Sequence, residues 1–220
     1  MIKIEIKSTD LVNVMNFLDY DKKIETNDKT FEQLMFVYMA AIKEVETKLE
    51  IIKQESKIFN DYEIIDNMKT RIKTPESIVN KMKKKGLEIN YKEMIENIND
   101  IAGIRVVTPL KEDIYEIEKL IRKIPEINVL REKDYVENPK ESGYSSYHMI
   151  LEVPVTLLQN IIYVKAELQI RTMAMDFWAS LEHKMKYKSK NKITKKQAKE
   201  WINCAKIVNK LDNKMMLLKT

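Results

Sequence analysis

Residues 161–171 read IIYVKAELQIR. Ile162, Val164, Ala166, Leu168 and Ile170 alternate with Tyr163, Lys165, Glu167, Gln169 and Arg171. A period of two over this length marks a strand with one apolar and one polar face. The polar face ends in a carboxylate, an amide and a guanidinium. It is either a solvated outer surface or the wall of a polar site.

Working outward, residues 172–187 read as a helix that brings Asp176, Glu182 and His183 toward the same sheet edge. Upstream, residues 144–153 and 127–136 read as strands. Residues 111–124 form an amphipathic helix through Ile114, Ile117, Ile121 and Ile124, and residues 101–108 are a strand closed by Pro109. In TPESIVNKMKKKG (74–86), Thr74 suits an N-cap, Pro75 the first helical position and Gly86 a stop. Residues 91–98 add a short helix. Residues 60–73 remain ambiguous. Residues 28–57 carry one 3.6-period stripe, from Phe31, Leu34 and Tyr38 to Leu49 and Ile52. Residues 10–20 suggest a shorter helix before it. A last helix, 194–218, carries Trp201, Cys204, Val208, Leu211, Met215 and Leu218, and Cys204 is expected in the core. The order of elements implies an α+β fold: a single mixed β-sheet flanked by helices. The chain is expected to form one domain over 1–220, with a core at about 60–187. The helical extensions 10–57 and 194–218 are expected to serve oligomerisation.

Composition narrows the chemistry. The chain has 220 residues, 44% apolar and 33% charged, with a net charge of +5. That describes a globular protein, not a disordered tail. One cysteine allows no internal disulfide and no Cys-based zinc site, and two histidines allow no His-rich metal centre. The N-terminus MIKIEIK has no apolar h-region, and no run reaches the ~18 residues of a membrane span. A reduced, cytoplasmic protein is the expectation. Three glycines are too few for a Gly-rich phosphate loop. Of the 39 basic residues only Arg71, Arg105, Arg122, Arg131 and Arg171 are arginine. An arginine here is a candidate for work that needs a planar guanidinium. Between Lys184 and Lys199 lie eight lysines and no acid, a solvated face or an RNA-attracting run.

Four constellations stand out. Ser77, Lys81 and Lys84 share a helix face and suit a polyphosphate, though a lysine-rich helix end also complements the dipole. In DIAGIRVV (100–107), Asp100 stands before a strand whose one side carries Gly103 and Arg105. In GYSSYH (143–148), Tyr144, Ser146 and His148 fall on one side by the period of two. Gly143 would allow a ligand to approach a stacking tyrosine. The fourth is Glu167 with its neighbours. Two separated acids, cationic stripes and a stacking ring, without a nucleophile or zinc set, match the inventory of phosphoryl-type transfer. Two other readings stay open. A template-independent nucleotidyltransferase would use two acids one residue apart on a strand, and no proposed strand has them. A non-enzymatic RNA-binding protein would rest on the lysine run.

The blocks RIKTPESIVNKMKKKG, DIAGIRVV, GYSSYH and ELQIRTMAMDFWASLEHKMKY, in that order, resemble the synthetase domain of the RelA/SpoT homologue family. Without a hydrolase or regulatory region, the chain resembles the small alarmone synthetases of the RelQ type. The resemblance implies a nucleotidyltransferase-like synthetase fold and a GTP/GDP pyrophosphokinase. ATP would donate its β,γ-pyrophosphate to the ribose 3′-hydroxyl of GDP or GTP, with GMP a further acceptor, and AMP would leave. By motif position, Arg71 and Arg105 would sandwich the adenine, and Ser77, Lys81 and Lys84 would hold the ATP phosphates. Asp100 and Glu167 would bind Mg²⁺ or Mn²⁺, with Glu167 also the base. Tyr144 would stack on guanine, His148 would contact the acceptor, and Lys140 would meet its phosphates. Gln169 and Arg171 would support the acceptor side. Asp176, where relatives often have Asn, would bond the acceptor. Ser145 replaces a usual Arg or Lys, and PKESGY (139–144) replaces a usual KPNGY, so acceptor choice is where this chain departs from the family. The resemblance also implies a homotetramer. His148 is followed by Met and His183 by Lys, so the His-Asp pair of an alarmone hydrolase is absent.

Overall fold

A computed structural model describes residues 5–6, 23–25, 29–157, 160–188 and 194–218. The helix expected over 10–20 lies outside the described residues. The strands are β1 (Glu5–Ile6), β2 (Asn67–Ile72), β3 (Ala102–Thr108), β4 (Asn128–Asp134), β5 (Tyr147–Leu157) and β6 (Asn160–Thr172). The helices are α1 (Lys29–Asn60), α2 (Pro75–Lys84), α3 (Tyr91–Asn97), α4 (Lys111–Arg122), α5 (Met173–Lys188) and α6 (Lys195–Met216).

The sheet runs β2-β3-β6-β5-β4, with β1 paired to the start of β6. The β3–β6 pair is parallel, and β2–β3, β5–β6 and β4–β5 are antiparallel. The mixed α+β sheet is therefore as expected. Its apolar face gathers Ile104, Val106, Met149, Leu151, Val153, Ala166, Leu168 and Ile170, all buried. The long stripe of α1 and the isoleucines Ile114, Ile117 and Ile121 of α4 belong to the same core. Burying one such aliphatic side chain is worth ~1.5–3 kcal/mol, so this face anchors the sheet and leaves the other free for polar work. In α2, Thr74 caps as predicted and accepts from the Ser77 amide, while Gly86 takes a positive φ of 69° past the helix end. The ambiguous segment 60–73 yields edge strand β2.

The last helix departs from expectation in its rotation. Its inward face is Trp201, Ala205, Val208 and Asp212, whereas Cys204, Leu211, Met215 and Leu218 are exposed. Polar anchors set this rotation. Thr172 Oγ1 donates to Asp212 at 2.8 Å, and Lys111 reaches Asn213 at 2.6 Å and Asn209. Trp178 donates its indole N–H to the Trp201 carbonyl at 3.2 Å. Cys204 is thus at the surface, not in the core.

Candidate active site

Strand register decides what meets on the polar face. Arg71 of β2 stands opposite Gly103 of β3, Gly103 opposite Glu167 of β6, and Glu167 opposite Ile150 of β5. One rung along, Lys69, Arg105, Gln169 and His148 align in the same way. Residues in register share a face, so six polar side chains converge from four strands. Lys69, Arg71, Gly103, Arg105, Glu167 and Gln169 line a cleft of about 200 Å³. A Cβ at Gly103 would meet the Arg71 side chain at 3.4 Å, so the glycine gives Arg71 room to lie across the strand.

Beside this cleft, Asp100 accepts from Lys81 at 2.8 Å and from Lys73 at 3.0 Å, both through Oδ2. Its Oδ1 is buried and has no hydrogen-bond partner. Burial alone would raise the Asp100 carboxyl, but the two ammoniums outweigh it and hold it below its ordinary value. Ser77 and Lys84 are exposed on the same helix, and the Ser77 hydroxyl accepts from Thr74 Oγ1 at 2.8 Å. Lys73 was not foreseen. Had 60–73 been read as a strand, the period of two would have aligned Lys69, Arg71 and Lys73.

On the other side of Glu167 the polar groups close into a circuit. Arg171 donates from Nη2 to the Tyr144 hydroxyl at 2.6 Å and to Gln169 Oε1 at 2.8 Å. Tyr144 Oη lies 2.8 Å from His148 Nε2, and His148 Nδ1 lies 3.3 Å from Glu167 Oε1. Gln169 donates to Glu167 Oε2 at 2.8 Å. With a proton on Nδ1, His148 donates to Glu167, and Arg171 donates into the ring at Tyr144 and Gln169. Burial pushes Glu167 up, but the hydrogen bond and charge of His148 and the bond from Gln169 outweigh it, so the group sits below its ordinary value. The charge of Asp100 also acts on Glu167, which places the two carboxylates within electrostatic reach of each other. Among the described residues, no three His, Cys, Asp or Glu side chains gather as a metal site.

The period-of-two reading of Tyr144, Ser146 and His148 needs correction in its mechanism. Strand β5 begins only at Tyr147, and Tyr144 comes from the preceding loop. The three residues still meet through Arg171, whose Nε donates to the Ser146 hydroxyl at 3.3 Å. Lys140 lies 4.9 Å from the Tyr144 ring centroid and 4.6 Å from that of Tyr135, a residue the sequence reading missed. Gly143 has φ 89°, and a Cβ there would lie 2.5 Å from the Ala205 Cβ of α6. The close approach that requires this glycine is thus a helix, not a ligand. Asp176 accepts from Arg105 at 3.2 Å and Arg171 at 3.3 Å on one oxygen. It stands between the two halves of the site.

Comparison with known proteins shows the family. Residues 70–192 match the family described as the region found in RelA/SpoT proteins. The chain is 42% identical to the GTP pyrophosphokinase YwaC of Bacillus subtilis over 196 residues, 89% of this chain and 93% of that one. It is 31% identical to the B. subtilis GTP pyrophosphokinase YjbM over 189 residues, 86% of this chain and 88% of that one. Its structure resembles that of small alarmone synthetase 2 from B. subtilis, with a TM-score of 0.79 and 41% identity over 87% of this chain and 98% of that one. It also resembles small alarmone synthetase 1 from B. subtilis bound to its product pppGpp, with a TM-score of 0.80 and 30% identity over 87% and 97% of the two chains.

Proposed function

This chain belongs to the RelA/SpoT family and is a (p)ppGpp-synthesising GTP pyrophosphokinase, and we propose that it works with two nucleotide sites meeting at Glu167. ATP occupies the cleft between β2 and β3, with its adenine between Arg71 and Arg105. Ser77, Lys81 and Lys84 take its phosphates, and Lys81 and Lys73 trade their contact with Asp100 for the incoming anion. The acceptor guanine stacks on Tyr144. His148, Gln169 and Arg171 hold its side of the site, and Lys140 meets its phosphates.

Glu167 accepts the proton of the 3′-hydroxyl as that oxygen bonds to the β-phosphorus of ATP. The bond from the β-phosphorus to the oxygen of AMP breaks, and AMP leaves. Glu167 is held below its ordinary value and is ionised at neutral pH; a lowered proton affinity weakens a base, so its role rests on its place between the two halves of the site. Asp100 and Glu167 suit Mg²⁺ or Mn²⁺, because the buried, unpartnered Asp100 Oδ1 is an oxygen donor in need of a cation. The bound ion supplies charge neutralisation on the phosphoryl oxygens. Ser145 and the 139–144 loop bear on the choice among GMP, GDP and GTP.

Exposed apolar side chains on α5 (Met173, Phe177, Leu181, Met185) and α6 (Ile207, Leu211, Met215) support self-association, and we propose a homotetramer. No helix among the described residues is long and apolar enough to cross a membrane. A cytoplasmic setting goes with the nucleotide substrates. RNA binding through the lysine run would be regulatory, and residues 189–193 of that run lie outside the described residues.

The single observation that carries this reading is the position of ionised Glu167 at the seam of a donor cleft and an acceptor circuit. The test is a product assay with γ-labelled ATP, Mg²⁺ and GMP, GDP or GTP in separate tubes. Label is expected on the guanine nucleotide with stoichiometric AMP. Glu167→Gln should lower kcat by at least ~10²-fold, the scale of a general base, with ATP-analogue binding and Tm kept. Release of pyrophosphate, or a Glu167→Gln variant that keeps most of its turnover, overturns the assignment.

A further inference from the structure

Two arginines with different duties share one oxygen. Arg105 Nη1 reaches Asp176 Oδ1 at 3.2 Å from the donor cleft, and Arg171 Nη1 reaches the same atom at 3.3 Å from the acceptor circuit. Arg171 at the same time holds Tyr144 and Gln169. Asp176 is mostly buried, with 14% of its side chain exposed, and it lies in the first turn of α5, where the helix dipole favours a negative charge. Among the described residues, Asp176 is the carboxylate that pairs with both guanidiniums.

We infer that Asp176 is a positioning residue that couples ATP binding to acceptor binding by tying Arg105 to Arg171. The argument rests on the two-site reading above. Two guanidiniums brought together repel, and the carboxylate between them offsets that repulsion; Arg171 is held besides by Tyr144, Gln169 and Ser146. ATP stacking on Arg105 fixes that guanidinium, and through the shared Oδ1 it fixes Arg171 and the tyrosine it holds. The second nucleotide then meets an interlocked ring whose remaining freedom at Arg171 has been removed. By linkage the effect is reciprocal, so the acceptor must tighten ATP by the same factor. Asparagine keeps an acceptor oxygen but loses the charge, and charge-assisted bonds are about twice as strong as neutral ones.

The experiment is calorimetric titration of the full chain with α,β-methylene-ATP and with GDP, each alone and each in the presence of the other at saturation. In the unsubstituted protein each nucleotide is expected to tighten the other by about tenfold, within the ~5–150-fold range of such couplings. In Asp176→Asn the factor should fall to about twofold or less, with Tm kept and kcat at saturating substrates lowered less than about fivefold. Arg105→Lys keeps a cation but loses the fork, and it should lose the coupling equally; combining it with Asp176→Asn should remove nothing further. Should Asp176→Asn fail to fold, Asp176→Glu takes its place: it keeps the charge but displaces the shared oxygen, and it should lower the coupling factor likewise. Retained coupling in the folded variant, or no coupling in the unsubstituted protein, overturns the proposal. Turnover of the unsubstituted protein, measured in parallel, tells that failure apart from a failure of the two-site reading.

Discussion

On the donor side of the cleft, Arg71, Ser77 and Lys84 are exposed, and Lys81 and Lys73 rest on one carboxylate. On the acceptor side, Tyr144, His148, Glu167, Gln169 and Arg171 complete a ring of hydrogen bonds, and Arg171 is buried. The donor groups sit on a helix and an edge strand and are separately adjustable. The acceptor groups are interlocked, and their loop is braced by α6. A flexible polyphosphate can be met by cations that move to it. A 3′-hydroxyl that must be aimed at phosphorus needs a site already in place. The difference predicts that damage stays local on the donor side and spreads on the acceptor side.

The hardest blow to that distinction falls on the brace. Gly143→Ala places a Cβ 2.5 Å from the Ala205 Cβ at a backbone φ of 89°. The left-handed backbone costs ~1–2 kcal/mol for a residue with a Cβ, and forced packing adds ~1–3 kcal/mol. Denaturant melts should show a loss of about 2–5 kcal/mol. KM for the acceptor should rise severalfold in the folded fraction, while KM for ATP stays within about twofold. An equal rise in both KM values would erase the distinction between the halves.

A smaller effect sharpens it. Tyr144→Phe and His148→Gln each open the ring, and once it is open the second change has less to remove. Their costs in kcat/KM should be non-additive by about 1 kcal/mol, as for residues in one hydrogen-bond network. Ser77→Ala and Lys84→Ala, about 10 Å apart on α2 by helix rise, should add within ~0.5 kcal/mol. Additivity in the first pair would mean that the ring is five independent contacts.

Much of this was open to reading because the signals are local. The alternation of 161–171, the Thr74 cap and the α1 stripe each follow from a few neighbouring residues, and each element formed as read. Strand β2 escaped because an edge strand with the burial of β2 needs few apolar residues, and NMKTRI offers only two. The rotation of α6 escaped because Lys111, Thr172 and Asp212 set it from distant parts of the chain. The candidate site shows the same split. Motif residues were recognised one block at a time, but the ring needs β5–β6 register and a loop tyrosine. The contact between Arg105 and Asp176 joins residues 71 apart and depends on the parallel β3–β6 pair. Spacing along the chain carries no trace of it.

The two halves also keep buried carboxylates of opposite tendency, and pH separates them. For Asp100 burial raises the proton affinity, but Lys81 and Lys73 overcome it and the net direction is down. Its stabilising contribution is therefore present above the unfolded value of about 3.8 and is lost as pH falls through the lower folded value. For Asp212, behind the acceptor loop, burial wins over the Thr172 bond and the Lys111 charge, and the net direction is up. Its contribution is full below about 3.8 and is lost as pH rises through the higher folded value. Asp100→Asn should thus lower Tm most at neutral pH, with the deficit shrinking in acid. Asp212→Asn keeps an oxygen for Thr172 and should raise Tm by a degree or two at neutral pH, with the gain vanishing in acid, on the scale of a ~0.5 kcal/mol change in a chain this size. Thermal melts of both variants between pH 3.5 and 8 check the signs. Parallel curves for the two would mean that the donor lysines and the α6 brace place their carboxylates in the same electrostatic setting. The contrast between an adjustable half and a braced half would then have no electrostatic basis.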